Sequence, residues 1–307
     1  MTVAKTLILV LLSYSLSYLL TPLTVPLCRA MGAFDIPDGY RKINTAAIPR
    51  LGGLGFFFAA TLVLFPLAGE DASIAATLAG GAVLVAGGVM DDTFSAPASV
   101  KLVLQLAAAL VTVSILGTPE SFSFFGIFTL PLNGVFGLVF TVFRMIFTMN
   151  AVNFADGLDG LASGLSITAL LSLAVFGMIN SNTYPAIAAL VLAAAVLGFL
   201  PYNRYHASLF MGDCGSQFLG LAIAVLSLGA APGDSFTFET SLFLAVPTLD
   251  TAFSVVRRLA KGKSPFVADK GHIHHLLIGA GLSHPNAVRI LVTLSGVIAL
   301  LTLLCQL

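Results

Sequence analysis

Three stretches of the chain gather oxygen ligands. GGVMDDTFSAPASVKLVLQ carries the adjacent acids Asp91 and Asp92, NAVNFADGLDGLA carries Asn150, Asn153, Asp156 and Asp159, and LFMGDCGSQFLG sets Asp213 between Gly212 and Gly215. Carboxylate and carboxamide oxygens suit a hard divalent cation, and a carboxylate can also take a proton from a nucleophile. Neighbouring residues on a helix point about 100° apart, so Asp91 and Asp92 cannot present one flat face unless the helix ends there. One could then serve a cation and the other act as base. The plainer reading is an interfacial acid pair that terminates a span.

In the second stretch the polar residues recur every third position. Each such step drifts by about 60° on an ideal helix, so the row cannot be one helical stripe. Gly157 and Gly160 offer the break: a helix ends near Asn153, a tight turn follows, and Asp159 opens the next helix, where its charge suits the N-terminal dipole. Both halves would face one pocket. Asp213 likewise stands at a helix start, whose amides favour anions, so an acid there suggests a cation bridging carboxylate and phosphate. Mg²⁺ is the natural ion for oxygen ligands and a diphosphate, with Mn²⁺ as an alternative. Simple capping is the competing account of Asp159 and Asp213.

RRLAKGKSPFVADKGHIHHLLIGAGLSH adds His272, His274 and His275 to a basic loop, His272 and His275 being placed to share a helix face. Neighbouring lysines oppose a zinc site and fit a diphosphate better. Lys101 opens the helix after Asp92, either as an interfacial lysine or as a phosphate contact. YRKINTAAIPRLGGLG contributes Arg41, Lys42 and Arg50, which membrane anchoring explains equally well.

The elements that must position these residues are membrane helices. Of 307 residues, 58% are hydrophobic and 9% charged, far from the roughly 25% charged of ordinary globular domains. Net charge is zero, so nothing points to nucleic acid. Ten apolar windows qualify as spans, at roughly 4–27, 51–68, 74–90, 99–116, 133–149, 159–179, 185–200, 216–231, 240–257 and 286–305. The first reads as a retained span rather than a cleaved signal. Gly-rich LAGGAVLVAGG implies close helix packing, and SFSFFGIFTLPLNG reads as a short hairpin on the outer surface. The fold expected is one all-α polytopic membrane domain over 1–307.

Orientation follows from lysine and arginine, which favour cytoplasmic loops. Running the first span inward places twelve of the fourteen inside, among them Lys42, Arg50, Lys101 and Arg257, with Arg144 near the inner end of the fifth span and only Lys5 outside. Both termini then lie outside, and Asp91, Asp92, Asp156, Asp159, Asp213 and all five histidines face the cytoplasm. Cys28, Cys214 and Cys305 are too scattered for a disulfide framework.

In this order and on one membrane face, GVMDDTF…KLVLQ, NAVNFADGLDGLA, FMGDCGS and SPFVADKGHIHHLL resemble the polyprenyl-phosphate N-acetylhexosamine-1-phosphate transferases over nearly the whole chain. The histidine stretch resembles the branch that uses UDP-GlcNAc rather than the branch that transfers phospho-MurNAc-pentapeptide. The resemblance implies transfer of a sugar-1-phosphate from a UDP-N-acetylhexosamine to undecaprenyl phosphate with Mg²⁺, releasing UMP, in the bacterial inner membrane as a step of cell-envelope polysaccharide synthesis. It implies that Asp213 and Asn153 hold the metal, and that Asp91 and Asp92 lie beside the lipid phosphate, Asp91 as the base. It assigns Asn150, Asp156, Asp159, His272, His274 and His275 to the nucleotide sugar, and Lys101 and Lys42 to the lipid phosphate. A homodimer is compatible with it. Asn44 departs from the pattern, many members carrying histidine there. Readings from other classes are a polytopic transporter, which would place its ionisable groups near the midplane, and a lipid phosphatase.

Overall fold

The computed structural model describes residues 1–36, 47–262 and 271–306. The chain forms α1 (Val3–Leu20), α2 (Thr24–Met31), β1 (Phe34–Asp35), β2 (Ile48–Pro49), α3 (Gly52–Leu64), α4 (Ala72–Phe94), α5 (Ala98–Leu116), β3 (Ser121–Phe124) and β4 (Phe128–Pro131). It continues through α6 (Gly134–Ala155), α7 (Leu161–Ile179), α8 (Thr183–Asn203), α9 (Gly212–Gly229), β5 (Ser235–Thr237), α10 (Glu239–Leu242), α11 (Ala245–Ala260), α12 (Ile273–Gly279) and α13 (His284–Leu304). Among the described residues eight helical stretches are long and apolar enough to cross a membrane, α1 and α2 together counting as one and α3 being shorter. The protein is an all-α polytopic membrane protein.

Helix α9 is the axis of the bundle. It packs against α3, α4, α6, α7 and α8, and its residues from Gly212 to Ser227 are buried. Small residues make that possible: a Cβ on Gly88 of α4 would lie 2.3 Å from the Cys214 Cα of α9. Helices that approach this closely gain packing contacts without the burial of water-exposed apolar surface that drives soluble cores. Against α1, α8 is tied by hydroxyls, Ser13 Oγ donating to the Val191 carbonyl at 2.8 Å and Ser17 Oγ to that of Ala195 at 2.6 Å. Asp71 caps α4, its Oδ1 accepting the Ser73 N–H at 2.8 Å, so one end of α4 is fixed by a carboxylate before the other end delivers two.

Three sequence readings are corrected. The window at 240–257 is divided between α10 and α11, and α11 has only 16 residues. It is amphipathic with its apolar face outward: Leu249, Phe253, Val256 and Leu259 are exposed, while Thr251 and Ser254 are buried. Arg144 stands in mid-α6 rather than near the acid-bearing end. Its guanidinium donates to the Ala224 carbonyl at 2.9 Å and to Ser227 Oγ and covers the Phe236 ring, all toward the far end of α9. Long helical side chains lean toward the helix N-terminus, which carries the charge away from the site. The expected hairpin is present as β3 and β4, paired Ser121↔Pro131 through Phe124↔Phe128, but a third strand, β5, joins β3 in parallel. Arg41, Lys42 and Asn44 lie outside the described residues. Cys28, Cys214 and Cys305 are free.

Because Gly88 lets α4 touch the α9 backbone, Gly88→Val should force the two helices apart. Overpacking of this kind costs about 1–3 kcal/mol, so the variant is expected to melt several degrees below the wild type in detergent and to yield less monodisperse protein on gel filtration.

Candidate active site

The acids of α4 and α9 meet where α4 ends and α9 begins. Asp92 turns inward and accepts the N–H groups of Asp213 at 3.0 Å and Cys214 at 3.2 Å, two of the amides that the first turn of any helix leaves unpaired. Gly212 has φ +68°, and a Cβ there would lie 2.0 Å from the Arg50 carbonyl and 2.4 Å from Asp92 Oδ2, so only glycine lets α9 start this close. Asp91 points elsewhere. Its Oδ1 accepts the Ala96 N–H at 2.7 Å, and its Oδ2 pairs with Lys101 Nζ at 2.7 Å. The two adjacent acids therefore face different partners, Asp92 the α9 amides and Asp91 the Ala96 N–H and Lys101.

Lys101 bridges, with Nζ also 2.7 Å from Asp213 Oδ2. Arg50 closes the other side at 3.2 Å from Asp92 Oδ1 and 3.9 Å from Asp213 Oδ1. Burial would lower the Arg50 pKa, but the charges of Asp92 and Asp213 more than offset it and hold the guanidinium protonated. Three carboxylates thus face two cations. Oxygens of Asp91, Asp92 and Asp213 lie within 4.8 Å of one another, a group that could hold a metal ion, and hard oxygen donors suit Mg²⁺ among biological cations. Asn153 stands beside them, Nδ2 donating to Asp213 Oδ1 at 3.1 Å and to Ser216 Oγ at 2.9 Å.

Amides extend the network away from the acids. Gln217, one turn along α9, donates to Asp213 Oδ2 at 3.1 Å. Gln105 of α5 donates to Gln217 Oε1 at 3.3 Å and exchanges hydrogen bonds with Asn150. Asn150, expected in the nucleotide-sugar pocket, is therefore two amides behind Asp213. Sequence reading missed Gln105, Ser216 and Gln217; the four-residue spacing of Asp213 and Gln217 was the available signal.

Helix α6 runs to Ala155, and Asp156 is the first residue past its end. Burial pushes the Asp156 carboxyl up to about 7, with the Asp213 charge adding and Arg50 opposing. Asp159 does not open α7. Gly160, at φ +77°, is the cap and Leu161 the first helical residue, while Asp159 Oδ2 accepts the Ala207 N–H at 3.0 Å and ties the turn to the α8–α9 connection.

The histidines converge on this turn from α12. His272 precedes the helix in an extended conformation, so the expected shared face with His275 does not form. The His272 and His274 rings instead stack in parallel, 5.9 Å apart. His274 is buried over Gly157, and burial together with His275 and His272 pushes its pKa down to about 3, leaving it neutral at pH 7. His272 lies 5.4 Å from the Phe154 ring, next to Asn153 in sequence. Asp250 of α11, unnoticed in the sequence, pairs with the His272 ring at 2.8 Å.

The shift at Asp156 has a signed consequence. Below pH about 4 the carboxyl is neutral folded or unfolded. Between about 4 and 7 the folded state binds more protons, so stability falls as pH rises, and above 7 the deficit is complete. Asp156→Asn lacks this dependence. In metal-free detergent melts the variant should match the wild type below pH 4 and exceed it by several degrees at pH 8, whereas a difference independent of pH would contradict the raised carboxyl.

Residues 74–231, just over half the chain, match the family model described as glycosyl transferase family 4. The probable undecaprenyl-phosphate N-acetylglucosaminyl 1-phosphate transferase of Bacillus subtilis is 34% identical over 89% of this chain and 77% of its own length. The decaprenyl-phosphate N-acetylglucosaminephosphotransferase of Mycobacterium tuberculosis H37Rv is 33% identical over 89% and 76%. For the undecaprenyl-phosphate alpha-N-acetylglucosaminyl 1-phosphate transferase of Escherichia coli K12 the figures are 32%, 87% and 75%. The matched segment holds Asp91, Asp92, Lys101, Asn153 and Asp213 together, and the chain belongs to glycosyl transferase family 4, among the polyprenyl-phosphate N-acetylhexosamine-1-phosphate transferases.

Proposed function

We propose that the protein transfers N-acetylglucosamine-1-phosphate from UDP-N-acetylglucosamine to undecaprenyl phosphate, giving the undecaprenyl-diphosphate sugar and UMP. The observation that carries this is Lys101 held between Asp91 and Asp213 where apolar helices end. A soluble nucleotide sugar and a phosphate fixed to a lipid can meet only at such a boundary. The relatives' names supply the sugar and the acceptor.

In the reaction a phosphate oxygen of the lipid attacks the β-phosphorus of the donor. A new P–O–P bond forms as the bond between β-phosphorus and the bridging oxygen breaks, and that oxygen leaves with UMP. Phosphate monoesters have a second pKa near 6 and are largely ionised at neutral pH, so the attacking oxygen needs little help from a base. Lys101 would receive the lipid phosphate, and Asp91 would orient Lys101 and take any residual proton. Both Asp92 oxygens hold α9 amides, and Asp91 is bound at both oxygens, which favours direct displacement over a covalent aspartyl intermediate. Asp213 and Asn153, with Asp91 beside them, would hold Mg²⁺, which supplies charge neutralisation on the diphosphate when bound. Asp156, Asp159 and the histidines would enclose the nucleotide sugar.

Ten crossings are proposed, the eight long apolar stretches plus α3 and α11. With alternating directions the ends of α4 and α6 and the starts of α5, α7 and α9 share the acid-bearing face, which is then the cytoplasmic face of the bacterial inner membrane, with both termini outside. The product would prime envelope polysaccharide synthesis.

Purified protein incubated with UDP-[¹⁴C]GlcNAc and undecaprenyl phosphate should move label into the organic phase with Mg²⁺ and not with EDTA. Asp213→Ala should reduce the rate at least ~100-fold, the scale of losing one preorganised electrostatic group. Label from UDP-MurNAc-pentapeptide but not UDP-GlcNAc would replace the sugar assignment, and no transfer of either by folded protein would overturn the proposal.

A further inference from the structure

Helix α11 grips the histidine segment with one polar face. Asp250, Ser254 and Arg257 follow at intervals of four and three, the spacing that aligns side chains on a helix. Arg257 Nη1 donates to the Gly271 carbonyl at 2.9 Å, and its Nη2 to Ser254 Oγ at 3.3 Å. One oxygen of Asp250 accepts the Ile273 N–H at 2.8 Å and the other meets His272 Nδ1 at 2.8 Å. Three successive residues, 271 to 273, are thus fixed by two side chains of a single helix. The apolar face of α11 points away from them, so burying these polar groups is what the helix's inverted pattern achieves.

A carboxylate can only accept, so the His272 proton shared with Asp250 sits on Nδ1 and Nε2 is left as the ring atom that can meet a ligand. The ring is buried beside Phe154, one residue from Asn153, with His274 stacked on it and neutral. Asp250 therefore sets which ring nitrogen of His272 carries the proton.

Given a UDP-sugar donor, as proposed above, we infer that Asp250 is a positioning residue: through the Asp250–His272 hydrogen bond it fixes the tautomer and orientation in which His272 Nε2 accepts a hydrogen bond from a hydroxyl of the donor's UDP moiety. Asp250→Asn tests this directly. Its amide oxygen can keep the Ile273 N–H while the amide nitrogen faces Nδ1, which reverses the tautomer and makes Nε2 a donor where it accepted. Partners behind a functional histidine are typically worth 10–100-fold. Asp250→Asn should lower kcat/KM for UDP-GlcNAc by that order, and Asp250→Glu should recover most of the loss. In a His272→Ala background neither substitution should cost more than about twofold, because Asp250 acts only through that ring.

UDP affinity with Mg²⁺, measured by calorimetry across the same variants, is the second readout and does not require turnover. Weaker UDP binding in Asp250→Asn that vanishes in the His272→Ala background supports the inference even if no sugar is transferred, a result that would fail only the functional reading. Should Asp250→Asn not fold, the Asp250→Glu cycle decides in its place. Wild-type activity and UDP affinity in Asp250→Asn, losses that multiply with those of His272→Ala, or a wild type that binds no UDP would each overturn it.

Discussion

Everything at the site hangs on one carboxylate receiving the open end of a helix. Asp92 accepts two first-turn amides of α9 and pairs with Arg50, so the end of α4, the start of α9 and the strand leading into α3 are fixed to a single group. Helix N-termini carry about half a positive charge, and meeting it with a buried acid offsets part of the cost of keeping that acid near hydrocarbon. Asp213 is the neighbour that this contact positions. Its carboxylate is then held between Lys101, Arg50, Asn153 and Gln217 rather than being free to turn toward solvent. A buried pair missing one partner is far worse than either the pair or an apolar substitute, which makes the cluster all-or-none in its assembly.

The polar network also explains why amides rather than charges continue into the bundle. Gln217, Gln105 and Asn150 connect α9, α5 and α6 by neutral hydrogen bonds. Each carboxamide both donates and accepts, so the chain of groups can satisfy itself without bringing further charge into the membrane. The site is rigid on this side and built from helix ends and turns on the other, where α12 and the turn after α6 meet.

Much of this was legible because charge is scarce in an apolar chain, and a carboxylate that survives at a span end stands out. Asp91, Asp92 and Asp213 were found that way, Asn153 by the three-residue recurrence it shares with Asp156, and the four do converge. The angle between Asp91 and Asp92 matches their different directions, although the partners they meet, α9 amides for one and Lys101 for the other, were not read from it. What could not be read was how turns spend their residues. Asp159 had the charge of a helix cap, but Gly160 took the cap by adopting positive φ and freed Asp159 for the Ala207 amide. His272 and His275 had helical spacing, but the helix began one residue too late. Asp250 was invisible because α11 passed for an ordinary span, and hydropathy does not record which way a two-faced helix is turned. Gln105 and Gln217 carried no charge to draw notice.

Helix α11 has a consequence for the lipid around the protein. At 16 residues and 1.5 Å per residue it is about 24 Å long, shorter than a hydrocarbon core of about 30 Å. As one of the proposed crossings it obliges the bilayer beside it to thin, or its flanking residues to reach up to the headgroups. Its exposed Leu249, Phe253, Val256 and Leu259 are what the acyl chains would grip. As a crossing, α11 would make bilayer thickness a force on the helix that holds His272, and acyl-chain length a variable to which the protein would be mechanically exposed.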